Sequence, residues 1–130
     1  MALTDRRVHT TLPVPDVAEA RRFWEGVLGF QPLQVQSTAV VYRAGEGSVF
    51  AISRSGGKPS GAHTQMAFTT PDIEVEVAAL RDRGIRFIEY DLPGLKTVGG
   101  IAPLGPNRAA WFLDPQGNTI GLVEFGELDG

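Results

Sequence analysis

The chain has 130 residues, 12 Lys+Arg against 15 Asp+Glu for a net charge of −3, and 42% hydrophobic and 21% charged residues, the balance of an ordinary globular domain. Its basic residues are scattered, which argues against the basic face that nucleic acid needs, and no apolar run approaches the roughly 20 residues of a membrane span. It contains no cysteine, which removes disulfides, thiolate metal sites and cysteine nucleophiles, and "MALTDRRVHT" has no apolar secretion core, so a cytoplasmic location is expected.

The first predicted element is a strand over residues 8–14. Alternation puts Val8, Thr10, Leu12 and Val14 on one face and His9, Thr11 and Pro13 on the other. A helix follows, capped by Asp16 with Glu19 completing a capping box, with Val17, Ala20, Trp24, Val27 and Leu28 as its apolar stripe. Gly29 suits the left-handed position that ends a helix. Three strands are expected next, over 31–36, 38–43 and 48–53. In the last of these Phe50 and Ile52 point to the core, while Val49, Ala51 and Ser53 face away.

A Gly/Ser/Pro-rich linker over 54–62 would join this first unit, 7–53, to a second, 63–126, within one domain spanning 1–130. The second unit repeats the grammar of the first. The offset that aligns Asp16 with Asp72 also pairs His9 with Gln65. Met66 and Phe68 oppose Gln65, Ala67 and Thr69; Asp72 caps a helix with Ile73, Val77 and Leu80 on its inner face, and Gly84 ends it. Strands are expected over 85–90, 107–113 and 118–125. Residues 91–106 read as a long, glycine-bearing apolar loop of the kind that covers a site. Asp114-Pro115-Gln116-Gly117-Asn118 is a tight turn, after which Gly121 falls in the middle of a strand, where glycine weakens pairing and packs nothing. There Ile120, Leu122 and Glu124 oppose Thr119, Gly121 and Val123. The architecture is α+β, two tandem βαβββ units. Their helix-averse faces carry small or polar residues, so curved mixed sheets turned toward each other would enclose a cleft in which Gly121 makes room.

"VHTTLPVPDVAEARRFWEGVLGF" and "FLDPQGNTIGLVEF" resemble the vicinal oxygen chelate superfamily, which includes glyoxalase I, extradiol dioxygenases and bleomycin-resistance proteins. The resemblance implies the paired βαβββ fold, and in metal-dependent members it places ligands at the positions of His9, Ala51, Gln65 and Gly121. Ala51 has no donor atom, and Gly121 stands where those members carry glutamate. A metal site generally takes at least three protein ligands, and only His9 and Gln65 are in position, with His63 able to join if its strand shifted. The expectation is therefore a cleft without metal or other cofactor that binds a small organic molecule in a homodimer, with His9, Thr11, Ala51, Gln65, Trp111 and Gly121 at the ligand. The competing expectation is a divalent-metal-dependent lyase, isomerase or dioxygenase acting on a small oxygenated metabolite.

Other residues divide between a site and a packing role. Trp111, Tyr42 and Tyr90 could stack on an aromatic ligand or fill a core. Arg108 could meet an anion or lie solvated. Residues 45–48 and 55–57 lack the context of phosphate loops. The pairs Glu74/Glu76 and Glu124/Glu127 are weak candidates for acid–base work, and no nucleophile–base pair is apparent.

Overall fold

The computed structural model describes residues 2–54, 58–59 and 63–126. The chain divides into two compact units, Met1–Pro59 and Ser60–Gly130; most of the expected linker lies outside the described residues, as does Glu127. Among the described residues no helix is long and apolar enough to cross a membrane.

In the first unit β1 (Thr10–Pro13) precedes α1 (Val17–Arg21), β2 (Gln31–Val35), β3 (Ala39–Arg43) and β4 (Val49–Ser53). The sheet runs β1-β4-β3-β2, with β1 parallel to β4 and the other neighbours antiparallel. Asp16 accepts a hydrogen bond from the Glu19 backbone N–H at 3.0 Å, which satisfies one of the orphan donors of the first helical turn. After Arg21 the helix widens into a π turn over Arg22–Val27, where the Leu28 N–H donates to the Phe23 carbonyl at 3.0 Å. Gly29, at φ 81, ends it. Leu12, Val40 and Ile52 are fully buried, and Trp24 and Phe30 meet the Phe50 ring at centroid separations of 5.0 and 5.1 Å. Val8, expected on this face, is 90% exposed, because the strand begins only at Thr10.

Tyr42 belongs to this core rather than to a site. Its ring is fully buried, and its hydroxyl donates to Glu25 Oε2 at 2.9 Å, the oxygen that also accepts from Arg21 Nε at 2.6 Å. The Arg21 hydrogen bond holds the Glu25 carboxyl below its ordinary value, and burial raises the Tyr42 phenol far above its own.

The second unit holds β5 (Thr64–Thr69), α2 (Ile73–Asp82), β6 (Asp91–Leu92), β7 (Leu95–Lys96), β8 (Ile101–Leu104), β9 (Asn107–Leu113) and β10 (Thr119–Glu124). Its main sheet runs β5-β10-β9-β8, again with first and last strands parallel. Ile73, Val77, Ala110 and Leu122 form its core, with Phe68, Leu80, Phe87 and Ile101 packed against them. Two groups tie down the N-terminus of α2. Asp72 accepts from the Val75 N–H at 3.2 Å, and Glu124 Oε1 accepts from the Ile73 N–H at 2.9 Å.

The expected strand over 85–90 does not form as such. Phe87 makes a single bridge to Phe112, and the Ile88 N–H donates to the Trp111 carbonyl at 2.8 Å. The rest of that sheet edge comes from within the expected loop, where β8 pairs with residues 107–110 of β9. The edge strand is thus split by an excursion that contains the β6–β7 hairpin, and Gly94, Gly99 and Gly100 take positive φ in its turns. Thr97 and Glu89 fasten it: the Thr97 hydroxyl donates to Glu89 Oε1 at 2.5 Å, and the Gly100 N–H donates to the same oxygen at 3.0 Å.

Candidate functional site

In both units the face turned away from the helix sets one residue from each of three adjacent strands side by side. In the first unit Thr11 pairs with Ala51 across β1 and β4, and Ala51 with Val41 across β4 and β3. Thr11 is exposed, while Ala51 retains 6% of its surface. His9 lies just before β1, is exposed, and lines a recess with Arg7, Glu46 and Ser48.

In the second unit the equivalent trio is Ala67, Gly121 and Trp111: Gly121 pairs with Ala67 across β10 and β5 and with Trp111 across β10 and β9. Residues directly opposite in adjacent strands share a face, so the half-buried indole stands beside a position with no side chain. Tyr90 meets it edge-on, with centroids 5.4 Å apart and planes at 88°.

The register of β5 against β10 slips between Thr119 and Ile120, which pair with Thr64 and Met66 and leave Gln65 as the extra residue of a bulge. A regular strand would set Thr64 and Ala67, three residues apart, on opposite faces. Here both crowd Gly121: a Cβ at that position would lie 3.2 Å from Ala67 Cβ and 3.2 Å from Thr64 Cγ2. Gly121 therefore has a local reason to lack a side chain beyond any ligand. Nothing in the one-dimensional pattern signals the bulge, so Thr64 escaped the sequence reading.

Two expected polar candidates are committed elsewhere. Arg108 Nη2 donates to Glu124 Oε2 at 3.0 Å, and its Nη1 donates to Glu74 Oε2 at 3.2 Å. The Ile73 N–H, and then Arg108, hold the Glu124 carboxyl below its ordinary value. Glu124 is thus a helix-anchoring group with its charge satisfied.

The positions assigned by resemblance to a metal do not fit one. Ala51 and Gly121 offer no donor atom, and the crowding at Gly121 leaves little room for a replacement ligand. Gln65 is half-buried within the bulge, and His9 is exposed. Among the described residues no three His, Cys, Asp or Glu side chains converge.

Two mixed four-stranded sheets, each built by a βαβββ unit, define an α+β fold of the glyoxalase type. Residues 6–122 match the Glyoxalase/Bleomycin resistance protein/Dioxygenase superfamily, and the chain belongs to it. Solved structures agree in fold. TnmS3, an antibiotic binding protein from Streptomyces sp. CB03234, is 23% identical with a TM-score of 0.66, covering 95% of this chain and 98% of its own. A superfamily member from Sphaerobacter thermophilus DSM 20745 is 29% identical with a TM-score of 0.67, covering 94% and 99%. Another, from Alicyclobacillus acidocaldarius, is 16% identical with a TM-score of 0.68, covering 98% and 96%. A stretch of 59 residues, 45% of the chain, is 37% identical to a sulfoquinovosidase of Agrobacterium fabrum, of which the match spans only 9%.

Proposed function

We propose that the protein binds a small organic molecule with a planar apolar part on the helix-averse face of its second unit, without a resident metal and as a homodimer. The observation that carries this reading is Trp111, a partly exposed indole that stands beside the small residues Gly121, Ala67 and Thr64. A flat aromatic wall beside a floor of small residues suits a ligand ring, because stacking supplies attraction and the short side chains of Thr64 and Ala67 keep the floor low. The fold shared with TnmS3, named as an antibiotic binding protein, supports small-molecule binding. The metal-dependent chemistry of the superfamily draws no support from Ala51 and Gly121, which could ligate nothing.

Titration with metal-free bleomycin, an anthraquinone and the methylglyoxal–glutathione hemithioacetal tests the reading by calorimetry and tryptophan fluorescence. At least one should bind saturably and quench emission. The quenching should vanish in Trp111→Phe, because the remaining Trp24 is fully buried in the other unit. Quenching that survives in Trp111→Phe, or binding unaffected by Gly121→Leu, would overturn it. For assembly, light scattering should give twice the chain mass of 14.0 kDa, and a monomer at micromolar concentration would refute the dimer.

A further inference from the structure

A second feature lies wholly in the first unit, independent of the face around Gly121. The chain leading into β1 and the turn leading into β4 enclose an open recess of about 280 Å³, lined among others by Arg7, His9, Glu46 and Ser48. That volume sits at the small end of ligand pockets and suits a molecule of a few heavy atoms.

Two properties set this recess apart from ordinary solvated surface. Arg7 and Glu46 both line it, yet among the described residues neither has a hydrogen bond or an ion pair, with each other or with anything else. Opposite charges facing one hollow without touching leave space for a molecule that bridges them. Glu46 is, moreover, the one described non-glycine residue with positive φ, at φ 55 and ψ 38. Gly47 beside it also takes positive φ, at 77, so the turn asks for two left-handed residues in a row and meets one of them with a residue that adopts the conformation less cheaply than glycine. A glutamate held there is a strained choice that points to a use for its side chain.

The remaining groups are disposed to help. The Ser48 hydroxyl donates to the Gly45 carbonyl at 2.6 Å, so its oxygen is left to accept from a ligand N–H. His9, on the opposite wall, offers an imidazole N–H. We propose that this recess binds a small zwitterion, an α- or β-amino acid or a close analogue. Arg7 and His9 take the carboxylate; Glu46 and Ser48 take the ammonium.

The chain has two histidines, so proton NMR resolves both ring signals, and His63 in the second unit serves as an internal control. The probes are glycine, β-alanine, acetate and ethylammonium, each titrated into the full chain. Glycine or β-alanine should shift the His9 signal saturably and leave His63 unmoved, while the single-charge probes bind more weakly by up to about fivefold, as loss of one exposed ion pair implies. Arg7→Ala and Glu46→Gln should each weaken zwitterion binding by a similar factor, and neither residue supports the fold. Glu46→Gly should do the same while unfolding at no lower temperature than wild type, since it relieves the positive φ. Acetate binding as tightly as glycine would make the recess a plain anion site and overturn the proposal. So would the absence of any saturable shift, or shifts indifferent to Arg7→Ala and Glu46→Gln.

Discussion

The two units share strand order and pairing but put their bulk on opposite sides of the sheet. The first unit invests its aromatics in the helix-facing core, where Trp24, Tyr42 and Phe50 are buried beside Phe30. Its other face carries Thr11, Ala51 and Val41. The second unit packs its helix with aliphatics and three phenylalanines, Phe68, Phe87 and Phe112, and presents Trp111 and Tyr90 on the other face, beside Gly121. One scaffold thus yields a unit that gathers its aromatics in the core and a unit that keeps its phenylalanines inside and leaves Trp111 and Tyr90 partly free on the other face. On the proposed function, stability and recognition compete for the same residue types, and a repeated unit lets one copy favour each.

The largest test of that division compares the two tryptophans. Trp24→Ala removes a fully buried indole and should cost about 3–5 kcal/mol, enough to unfold much of a marginal domain. Trp111→Ala should cost clearly less, because part of its ring is already in water, while abolishing ligand quenching. Equilibrium urea unfolding of both variants checks this. Equal losses would mean that Trp111 is a core residue and that the contrast between the units is one of appearance.

The next test is acid, because carboxylates anchor both units. Glu25 in the first and Glu124 and Glu89 in the second all have carboxyls below the ordinary value of 4.5, through hydrogen bonds from Arg21, the Ile73 N–H and the Thr97 hydroxyl respectively. A depressed folded-state value means that the folded state favours the charged form. The stabilisation is therefore complete above the unfolded value and is lost as pH falls through the lower folded value. Thermal unfolding followed downward from neutral pH should show melting temperature falling below about pH 4.5. Glu124→Gln can still accept from Ile73 but loses the charge, so it should melt a few degrees lower at neutral pH and converge on wild type in acid. Parallel curves would show that Glu124 contributes nothing through its charge.

Much of this arrangement is local and therefore legible from the chain. Asp16 and Asp72 announce both helices, because a cap is a contact between residues three apart. The turn at Asp114 is equally plain: its carboxylate accepts from the Gln116 N–H at 3.0 Å and the Asn118 N–H at 2.8 Å. Alternation places Leu12, Phe50, Ile52, Ile120 and Leu122 inside correctly. What escapes is set by pairing between distant segments. The bulge at Gln65 depends on how β5 meets β10, and the split edge strand on which residues β9 accepts as partners. Tyr42 and Trp111 look alike as aromatic residues in penultimate strands of their units. Only the register and the half-buried state of one reveal that they lie on opposite faces.

A smaller effect is expected where the two faces correspond most closely. Gly121→Ala gives the second unit the residue that the first carries at Ala51. Its φ is outside the left-handed region, so no backbone strain opposes the change, and reduced freedom of the unfolded chain favours it by about 0.4–1 kcal/mol. Against this, Ala67 and Thr64 must each yield a few tenths of an ångström. Thr64 is exposed and can turn about its χ1, whereas the Cβ of Ala67 moves only with the backbone of β5, which as an edge strand at a bulge has the freedom to shift that far. Stability should stay within about 1 kcal/mol of wild type while ligand affinity falls. A larger loss that Ala67→Gly restores would show that the bulge is rigid and that glycine is there for packing alone.

The smallest expected effect is that of metal on the wild-type protein. Zinc bound by protein generally takes three or four side-chain ligands at about 2 Å in a fixed geometry. Of the four positions that the superfamily assigns to ligands, Ala51 and Gly121 have no donor, and Gln65 contributes at best a neutral amide from an irregular stretch of strand. His9 alone is a good ligand, and an exposed imidazole binds zinc no more tightly than a surface histidine elsewhere. A ligand that favours the folded state raises stability only when its concentration exceeds its dissociation constant. Micromolar Zn²⁺, Ni²⁺ or Co²⁺ should therefore leave the melting temperature within about a degree of the metal-free value. His9→Ala should change neither number. A gain of several degrees that disappears in His9→Ala would mean that ligands from outside those four positions complete a site, and the metal-dependent chemistry of the superfamily would then become the better reading of this chain.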